Sequence, residues 1–332
     1  MEALVFNQGE VAYSQSHAAP KAGAKEVLIS VETAGICATD LEIQKGYMDF
    51  SGVLGHEFVG TVEKGPRAVQ GKRVVAEINC VCERCDMCLS GLSSHCRNRQ
   101  ILGIKDHDGV FAEWVVVPQR NVHVIPDTLS NDQAIFIEPL AAALQIVQQI
   151  ALEKRHRVIV VGDGRLGLLA VQVLARAVGK GNVILLGKHE EKLTFAEKRG
   201  IQGILLEDLL VKPEWDVVVD CTGSASGFTT ACRLVRPRGK LVLKSTWAVN
   251  PGDPRVCDAI DLSPLVINEI TLIGSRCGPF ANAINALAAR QIETNGLITA
   301  RYKLSDGAKA LAKARQSDQI KVVFDIKKGK GS

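Results

Sequence analysis

The pattern of hydrophobic and polar positions changes near Asn131. Before this point, short apolar runs are separated by Gly, Pro and Asp turns, and apolar and polar side chains alternate as in half-buried β-strands. The clearest of these runs are residues 26–31, 60–63, 72–78 and 111–117. The first part of the chain is therefore predicted to be mostly β.

After Asn131, helical and strand-like segments alternate. The predicted helices are residues 131–150, a segment that ends at 178, and 190–199. The predicted strands are the apolar runs 157–161, 183–186, 216–221, 240–244 and 270–274. Continuous apolar strands between helices are typical of a parallel sheet covered on both faces, so this part is predicted to be an α/β domain. Two more helical stretches and a strand at 320–326 follow, and the Lys- and Gly-rich tail 327–332 is expected to be frayed.

Composition indicates an ordinary globular protein of two domains, with 332 residues, 46% hydrophobic and 23% charged. The net charge of +4 is spread along the chain without a basic stripe, which argues against nucleic acid as a partner. We see neither a secretory signal pattern nor an apolar run of bilayer length, so we expect a cytoplasmic protein without a membrane partner. In a reducing compartment, its ten cysteines are expected to be metal ligands or packed thiols.

Four cysteines, Cys82, Cys85, Cys88 and Cys96, have the spacing C-x2-C-x2-C-x7-C. Four thiolates favour a closed tetrahedral zinc site that stabilises structure. A disulfide cluster would need an oxidising compartment, and ferredoxin-type iron–sulfur sequences have a shorter last gap. The remaining cysteines that lack ligand spacing are expected to be simply packed, and they are Cys80, Cys221, Cys232, Cys257 and Cys277.

A second set of metal-ligand types lies upstream, Cys37 and the adjacent pair His56 and Glu57. A mixed set of thiolate, imidazole and carboxylate leaves a coordination position for water or substrate, which is typical of a catalytic zinc site. The sequence therefore predicts two zinc ions per chain, one structural and one catalytic.

A glycine-rich loop follows the predicted strand 157–161 and opens a helix, with the pattern G-x-G-x-x-G at Gly162, Gly164 and Gly167. In this context the first glycine makes a tight turn, the second lets a pyrophosphate approach the backbone, and the third lets helix and strand pack closely. The helix N-terminus, with Arg165 and Leu166, offers free N–H groups to the phosphates. A glycine turn that binds no dinucleotide is the alternative.

The next strand ends in Gly187, Lys188 and His189, where NAD-binding chains usually carry an acidic residue for the ribose 2′-hydroxyl. A small residue followed by a cation removes repulsion and supplies a partner for a 2′-phosphate. We therefore expect NADP to be preferred, with NAD as the second option. The alternative is that Lys188 is a solvated surface residue and either cofactor is accepted.

Together these motifs resemble the zinc-dependent medium-chain dehydrogenases of the alcohol dehydrogenase superfamily, nearest the sorbitol, glucose and threonine dehydrogenase arm. The resemblance rests on the segments 35–40 (GICATD) and 55–60 (GHEFVG), the four cysteines and the glycine loop, in that order. It implies a GroES-like β-rich catalytic domain of residues 1–139 and 278–332, with a zinc lobe near 80–97. It also implies a Rossmann domain with a doubly wound parallel sheet at 140–277, an active site in the cleft, and a homodimer or homotetramer.

Position by position, the resemblance implies that Cys37 and His56 bind the catalytic zinc. Glu57 would be a third ligand or one that exchanges with water. Glu138, where many alcohol dehydrogenases have a second cysteine ligand, would approach the metal directly or through water. A lone carboxylate in an apolar stretch is costly to bury, which supports a role for Glu138.

Two further residues are implied as catalytic. Asp40 would accept a hydrogen bond from the His56 ring and fix its tautomer, and Thr39 would pass the substrate's hydroxyl proton outward. Where liver-type alcohol dehydrogenases end their proton relay with histidine, this chain has Glu42. That relay is therefore not carried over intact, and Glu57, a zinc-bound water and the cofactor ribose all remain open as exits.

Several residues at later strand ends are candidates for the nicotinamide half of the cofactor, because ligands bind at the carboxyl ends of parallel strands. They are Cys221, Thr222, Lys244 and Ser245. Candidates for the substrate pocket, each with a surface role as the alternative, are Tyr47, Phe50, Lys105 and Arg276.

The function expected is hydride transfer between NADP(H) and an alcohol, polyol or sugar, with a small-molecule alcohol or carbonyl as substrate. Zinc would act as a Lewis acid and the nicotinamide would carry the redox step. Two alternatives remain. One is a zinc-free quinone or enoyl reductase of the same superfamily, which typically lacks the zinc ligands. The other is a non-catalytic protein that binds zinc and nucleotide with the same fold.

Overall fold

The computed structural model describes residues 1–246 and 261–327. The chain divides into two compact units, one formed by Met1–Glu138 with the C-terminal part from Ile284, and the other by Pro139–Ala283. The first unit is rich in antiparallel strands and the second contains a parallel sheet between helices. The fold class expected from the hydrophobic pattern is confirmed.

The first unit begins with ten short strands. They are β1 Ala3–Asn7, β2 Glu10–Ser14, β3 Glu26–Gly35, β4 Gly52–Val53, β5 Glu57–Lys64, β6 Arg73–Ala76, β7 Asn79–Cys80, β8 Gln100–Ile101, β9 Trp114–Pro118 and β10 Val122–Val124. The α-helices of this stretch are α1 Ala38–Ile43, α2 Asp86–Leu89 and α3 Asn131–Ala134, and α4 Ile137–Gln149 begins in the first unit and continues into the second. The predicted strand at 111–117 therefore starts later, at Trp114.

The predicted helix 131–150 is two helices, and this is a correction. α3 starts with a capping box in which Ser130 accepts from the Gln133 N–H, and it ends with Ile135 as its C-cap. Pro139 has no N–H to donate to the carbonyl of Ile135, so a single continuous helix would lose a hydrogen bond there. A proline is tolerated in the first turn of a new helix, which is its place in α4.

The second unit is built on a six-stranded sheet in which every pairing is parallel, in the order β13-β12-β11-β14-β15-β16. The strands are β11 Val158–Val161, β12 Val183–Gly187, β13 Gln202–Leu205, β14 Trp215–Asp220, β15 Val235–Leu243 and β16 Thr271–Gly274. The helices are α5 Arg165–Val178, α6 Glu190–Glu197, α7 Ala225–Leu234 and α8 Ser263–Ile267, and α9 Phe280–Ala288 begins in this unit and ends in the C-terminal part of the first. The chain turns from one side of β11 to the other, which is the switch point where such sheets bind ligands.

The C-terminal part returns to the first unit through β17 Ile298–Tyr302, α10 Gly307–Ala314 and β18 Lys321–Asp325. β18 lies between β17 and β3, antiparallel to β3. Phe324 of β18 packs edge-on against Phe111 with ring centroids 4.9 Å apart, and both are fully buried. In register, β3 places Gly35 opposite Glu57 of β5 on one side and Val323 on the other. Three distant parts of the chain thus meet at the end of β3.

Within the described residues, every helix is too short or too polar to cross a membrane. Cys80 and Cys232 are buried as expected, and Cys221 and Cys277 are half-buried. Cys257 and the tail beyond Lys327 lie outside the described residues.

Candidate metal centres and nucleotide loop

Cys37, His56 and Glu57 come together at the end of β3, with one ligand atom from each lying within 4.8 Å of the others. Cys37 is the N-cap of α1, His56 directly precedes β5, and Glu57 is the first residue of that strand. His56 and Glu57 are almost fully buried and Cys37 is half-buried. A borderline cation such as zinc accepts this combination of sulfur, nitrogen and oxygen ligands.

Asp40 supports this group from a fully buried position. Its Oδ2 accepts a hydrogen bond of 2.7 Å from the Cys37 N–H, and its Oδ1 lies 3.3 Å from the His56 Nδ1. Burial disfavours a charged His56, but the negative charges of Asp40 and Cys37 outweigh it and raise the pKa of His56. The surroundings therefore stabilise a positive charge at this point, and the residues present fit a zinc ion.

Thr39 and Glu42 lie on the same helix, α1. The Thr39 hydroxyl is 3.7 Å from the Cys37 sulfur, so it lies beside the candidate metal group. The Glu42 carboxylate accepts a hydrogen bond of 2.6 Å from Lys45 near the surface. Glu138 is in the first turn of α4 and does not belong to the three-residue group. Its role at the metal stays a prediction.

Lys321 is a residue of the site that sequence reasoning missed. It is fully buried in β18, and its ammonium group forms an ion pair with the Glu57 carboxylate. Gly35 leaves room for the pair, because a Cβ there would lie 2.8 Å from the Glu57 Oε2 and 2.9 Å from the Lys321 Nζ. Burial lowers the pKa of Lys321 to about 8, while Cys37 and Asp40 act in the opposite direction. A lysine inside an apolar strand was the available signal, because a charge in that place needs a buried partner.

The four-cysteine set converges around α2. Neighbouring sulfurs are 3.5 Å apart for Cys85 and Cys88, 3.8 Å for Cys85 and Cys96, and 3.5 Å for Cys96 and Cys82. These distances are far longer than a disulfide bond. They are close to the edge of about 3.8 Å that a tetrahedron with zinc–sulfur bonds of about 2.3 Å would have. The geometry therefore matches a closed zinc site.

The thiols of this set also affect one another's protonation. Backbone N–H groups, first that of Arg84, lower the pKa of Cys82 to about 6. Burial and the neighbouring sulfurs of Cys85 and Cys96 raise the pKa of Cys88 to about 12. Without a cation the four sulfurs cannot all be thiolates, and a divalent metal among them would remove that conflict.

The glycine loop has the expected strand–loop–helix context, between β11 and α5 with Gly164 as the N-cap. A Cβ on Gly167 would lie 1.8 Å from the Gly162 carbonyl oxygen, so only glycine allows the helix this close to the loop. Arg165 and Leu166 occupy the first turn of α5. The second residue of the motif, Asp163, has a contact that the spacing alone did not predict.

The Asp163 carboxylate lies at the end of β12, where Gly187 takes the place of the acidic residue that NAD-binding chains usually carry. Its Oδ2 accepts hydrogen bonds of 2.8 Å from the N–H groups of both Lys188 and His189, and it lies 2.9 Å from the His189 Nδ1. Burial would raise the pKa of Asp163, but these hydrogen bonds outweigh it and lower the pKa. Asp163 is therefore an ionised carboxylate directly above Gly187, whose Cβ would lie 2.6 Å from that of Asp163.

The candidates for the nicotinamide half lie at the carboxyl ends of β14 and β15. The Asp220 Oδ1 accepts hydrogen bonds from the Thr222 N–H (2.8 Å) and the Thr222 hydroxyl (2.7 Å). Thr222 follows Cys221 beside the glycine loop. Lys244 is buried and donates to the Ser275 hydroxyl and the Arg276 carbonyl, so it also connects two strand ends. Ser245 lies next to Gly223. Their contact with a cofactor stays a prediction.

The substrate-pocket candidates differ in exposure. Phe50 is buried, whereas Tyr47, Lys105 and Arg276 are half-buried. Although buried, Phe50 contributes to the lining of a cavity together with Phe6, Ile43 and Asp49.

Comparison of the sequence with known protein families gives two matches, both to dehydrogenase domains. Residues 23–127 match the model of the alcohol dehydrogenase GroES-like domain, and residues 166–293 match the model described as zinc-binding dehydrogenase. A D-arabitol-phosphate dehydrogenase of Enterococcus avium is 32% identical, over 92% of this chain and 91% of its own. The chain belongs to the zinc-dependent alcohol dehydrogenase family.

Several other known proteins resemble the chain over almost its whole length. A sorbitol dehydrogenase of Halalkalibacterium halodurans is 28% identical over 98% of this chain and 99% of its own. A zinc-binding dehydrogenase of Sinorhizobium meliloti solved with NADP has a TM-score of 0.84 and 29% identity, and covers 98% of each chain. A short chain alcohol dehydrogenase of Escherichia coli CFT073 solved with NADH has a TM-score of 0.85 and 25% identity, over 98% and 99%. The class of activity is that of an NAD(P)-dependent alcohol or polyol dehydrogenase.

Proposed function

We propose that the chain transfers a hydride between NADP(H) and the hydroxyl or carbonyl carbon of an alcohol, polyol or sugar, at a zinc ion held by Cys37, His56 and Glu57. The buried three-residue group backed by Asp40 carries this proposal. Relatives named as sorbitol and D-arabitol-phosphate dehydrogenases support a polyol as the substrate class. The intact ligand set disfavours the zinc-free reductase, and two zinc ions per chain are expected.

In this mechanism, zinc would polarise the substrate oxygen as a Lewis acid, and the nicotinamide would carry the redox step. The residues of the chain would orient the metal ligands and transfer the substrate's proton. Asp40 would hold the His56 ring in one tautomer, as partners of metal-bound histidines do. Thr39, 3.7 Å from the Cys37 sulfur, would take the substrate's hydroxyl proton while giving its own proton onward, to Glu57, a zinc-bound water or the cofactor ribose. Glu42 is engaged by Lys45, so the relay of liver-type enzymes does not continue through it.

Glu138 is proposed to act at the metal, directly or through water. Its replacement by Gln would keep the shape and remove the charge. Changes next to a metal typically cost on the order of 10 to 100-fold in affinity or activity. Normal kinetics with full zinc content in Glu138→Gln would show that the residue only supports the helix.

NADP(H) is the cofactor proposed, with Lys188 as the cation for the 2′-phosphate. Lys188 is exposed at the end of β12, and a relative solved with NADP supports the assignment.

A homodimer or homotetramer in the cytoplasm is the setting we propose, and light scattering after size-exclusion chromatography would determine the assembly.

The experiment that tests the function is a matched screen of the purified zinc protein. NADP and NAD reduction would be followed with sorbitol, arabitol, their phosphates, threonine and simple secondary alcohols. We expect turnover with a polyol, and a rate at least a hundredfold lower after Cys37→Ser. Full zinc occupancy without turnover on the whole panel would instead favour the non-catalytic protein.

A further inference from the structure

The space beside Gly187 is filled by the side chain of Asp163, which belongs to the loop after the neighbouring strand β11. β11 and β12 are adjacent and parallel, with Val161 opposite Leu186, so the loop after β11 lies beside the end of β12. Asp163 in that loop reaches across, and its side chain is 10% exposed. The strand end that lacks an acid of its own therefore has one supplied by the glycine loop.

The position of the Asp163 carboxylate matters for an anionic ligand. Both N–H groups that it accepts from, those of Lys188 and His189, lie at the entrance to α6. N–H groups at a helix N-terminus are favourable places for a phosphate. In this chain a fixed carboxylate already occupies them. A second anion in the same place would meet its negative charge and would compete for its hydrogen bonds.

We propose that Asp163 is a specificity-determining residue that opposes the 2′-phosphate, so that NADP(H) bound through Lys188 is held less tightly than the loop would otherwise allow and NAD(H) binding is retained. The proposal rests on the dinucleotide site of the proposed function. An acid at the end of this strand normally accepts a hydrogen bond from the ribose 2′-hydroxyl. Asp163 holds a carboxylate at that strand end with only one of its two oxygens engaged by the three contacts to Lys188 and His189.

Direct binding separates this role from catalysis. NADPH and NADH would be titrated by fluorescence into the zinc protein without substrate, and 2′,5′-ADP and 5′-AMP would serve as smaller probes of the same phosphate. Asp163→Asn keeps the shape and an acceptor oxygen but removes the charge. We expect the ratio of NADPH to NADH affinity to rise on the order of tenfold, the size expected for one contact with a charged group.

Two further variants make the comparison strict. Glu191→Gln removes the same charge from an exposed residue in the first turn of α6, and its affinity ratio should stay close to that of wild type. Asp163→Ser keeps an acceptor in a smaller side chain and replaces Asp163→Asn if that variant does not fold. Near-ultraviolet circular dichroism would confirm the fold of each variant.

The outcomes are distinct. A rise in the NADPH to NADH ratio, repeated with 2′,5′-ADP against 5′-AMP and absent in Glu191→Gln, supports the proposal. An unchanged ratio, or equal weakening of both cofactors, overturns it and makes Asp163 a purely structural loop residue. If wild type binds neither dinucleotide, the proposed function itself fails.

Discussion

Single buried charges determine much of the candidate metal site. Glu57 and Lys321 are fully buried and form an ion pair, and Gly35 leaves the room for it. Two charges removed from water stabilise a fold only while each has its partner. The pair thus fixes the Glu57 carboxylate beside Cys37 and His56, and connects the C-terminal strand to the metal-binding segment.

In protein freed of zinc by a chelator, Lys321→Met should be strongly destabilising, because it leaves the Glu57 carboxylate buried without any cation. The expected loss is roughly 3 kcal/mol in the free energy of unfolding, measured by urea denaturation at pH 7. The double variant Lys321→Met with Glu57→Gln removes both charges and should be less destabilised than Lys321→Met alone. A single variant within about 0.5 kcal/mol of wild type, the usual range of a surface change, would contradict this account of the pair.

Asp163 should make part of the stability depend on acid. Its pKa is lower in the folded protein than in the unfolded chain, so its contribution is fully present above the unfolded value of about 4 and is lost as the pH falls through the folded value. Asp163→Asn should therefore lose less unfolding free energy than wild type between pH 7 and pH 3. Any release of zinc at low pH would affect both proteins, so the comparison is between the variants. Equal losses in the two would argue against the lowered pKa.

At the scale of elements, the hydrophobic pattern was sufficient where a strand is buried on both faces. The strands β11, β12, β14 and β15 were all predicted from apolar runs. The exposed edge strand β16 was also predicted from its apolar run, whereas the edge strand β13 was not, because only two of its four residues are apolar. The break between α3 and α4 was also missed, since apolar periodicity continues across Pro139 while the hydrogen bonding does not.

The candidate site was also predicted only in part, because some of its residues form local sequence motifs and others do not. Metal-ligand residue types and glycine motifs can be recognised in the sequence, so Cys37, His56 and the glycine loop were predicted as site residues. Lys321 and Asp163 act through residues that are distant in sequence and adjacent only after the strands pair. No local pattern encodes such a contact, although an isolated charge inside an apolar strand or a glycine loop is a reason to look for one.

The cysteine lobe around α2 should be separable from the Cys37 group. Cys96→Ser removes one of four converging thiols and should lower the zinc content by about one ion per chain, since a structural site needs all its ligands. The melting temperature should fall with it. Cys80→Ser is the matched control, because Cys80 is a buried thiol outside the ligand set whose pKa burial raises to about 12. Loss of both zinc ions from Cys96→Ser would show that the two sites are not independent.

At the scale of the whole molecule, the chain combines a β-rich unit that carries both candidate zinc sites with an α/β unit that carries the nucleotide loop. The first unit is completed by β17 and β18 from the end of the chain, so the metal-binding segment depends on residues at both ends of the sequence. Truncation before β18 should therefore remove activity together with zinc binding at the Cys37 group. Such a truncated protein that still bound two zinc ions would contradict the dependence.

The central claim is that Cys37, His56 and Glu57 hold a zinc ion on which alcohol or polyol dehydrogenation depends. The most direct test is the initial rate of NADP and NAD reduction with the best substrate of the panel, compared between wild type and Cys37→Ser at known zinc content. We predict that Cys37→Ser retains the zinc of the four-cysteine site and a folded chain, and loses at least a hundredfold in rate, because loss of a residue that only supports a metal ligand already costs on the order of 10 to 100-fold. A Cys37→Ser protein that turns over at the wild-type rate would contradict the account.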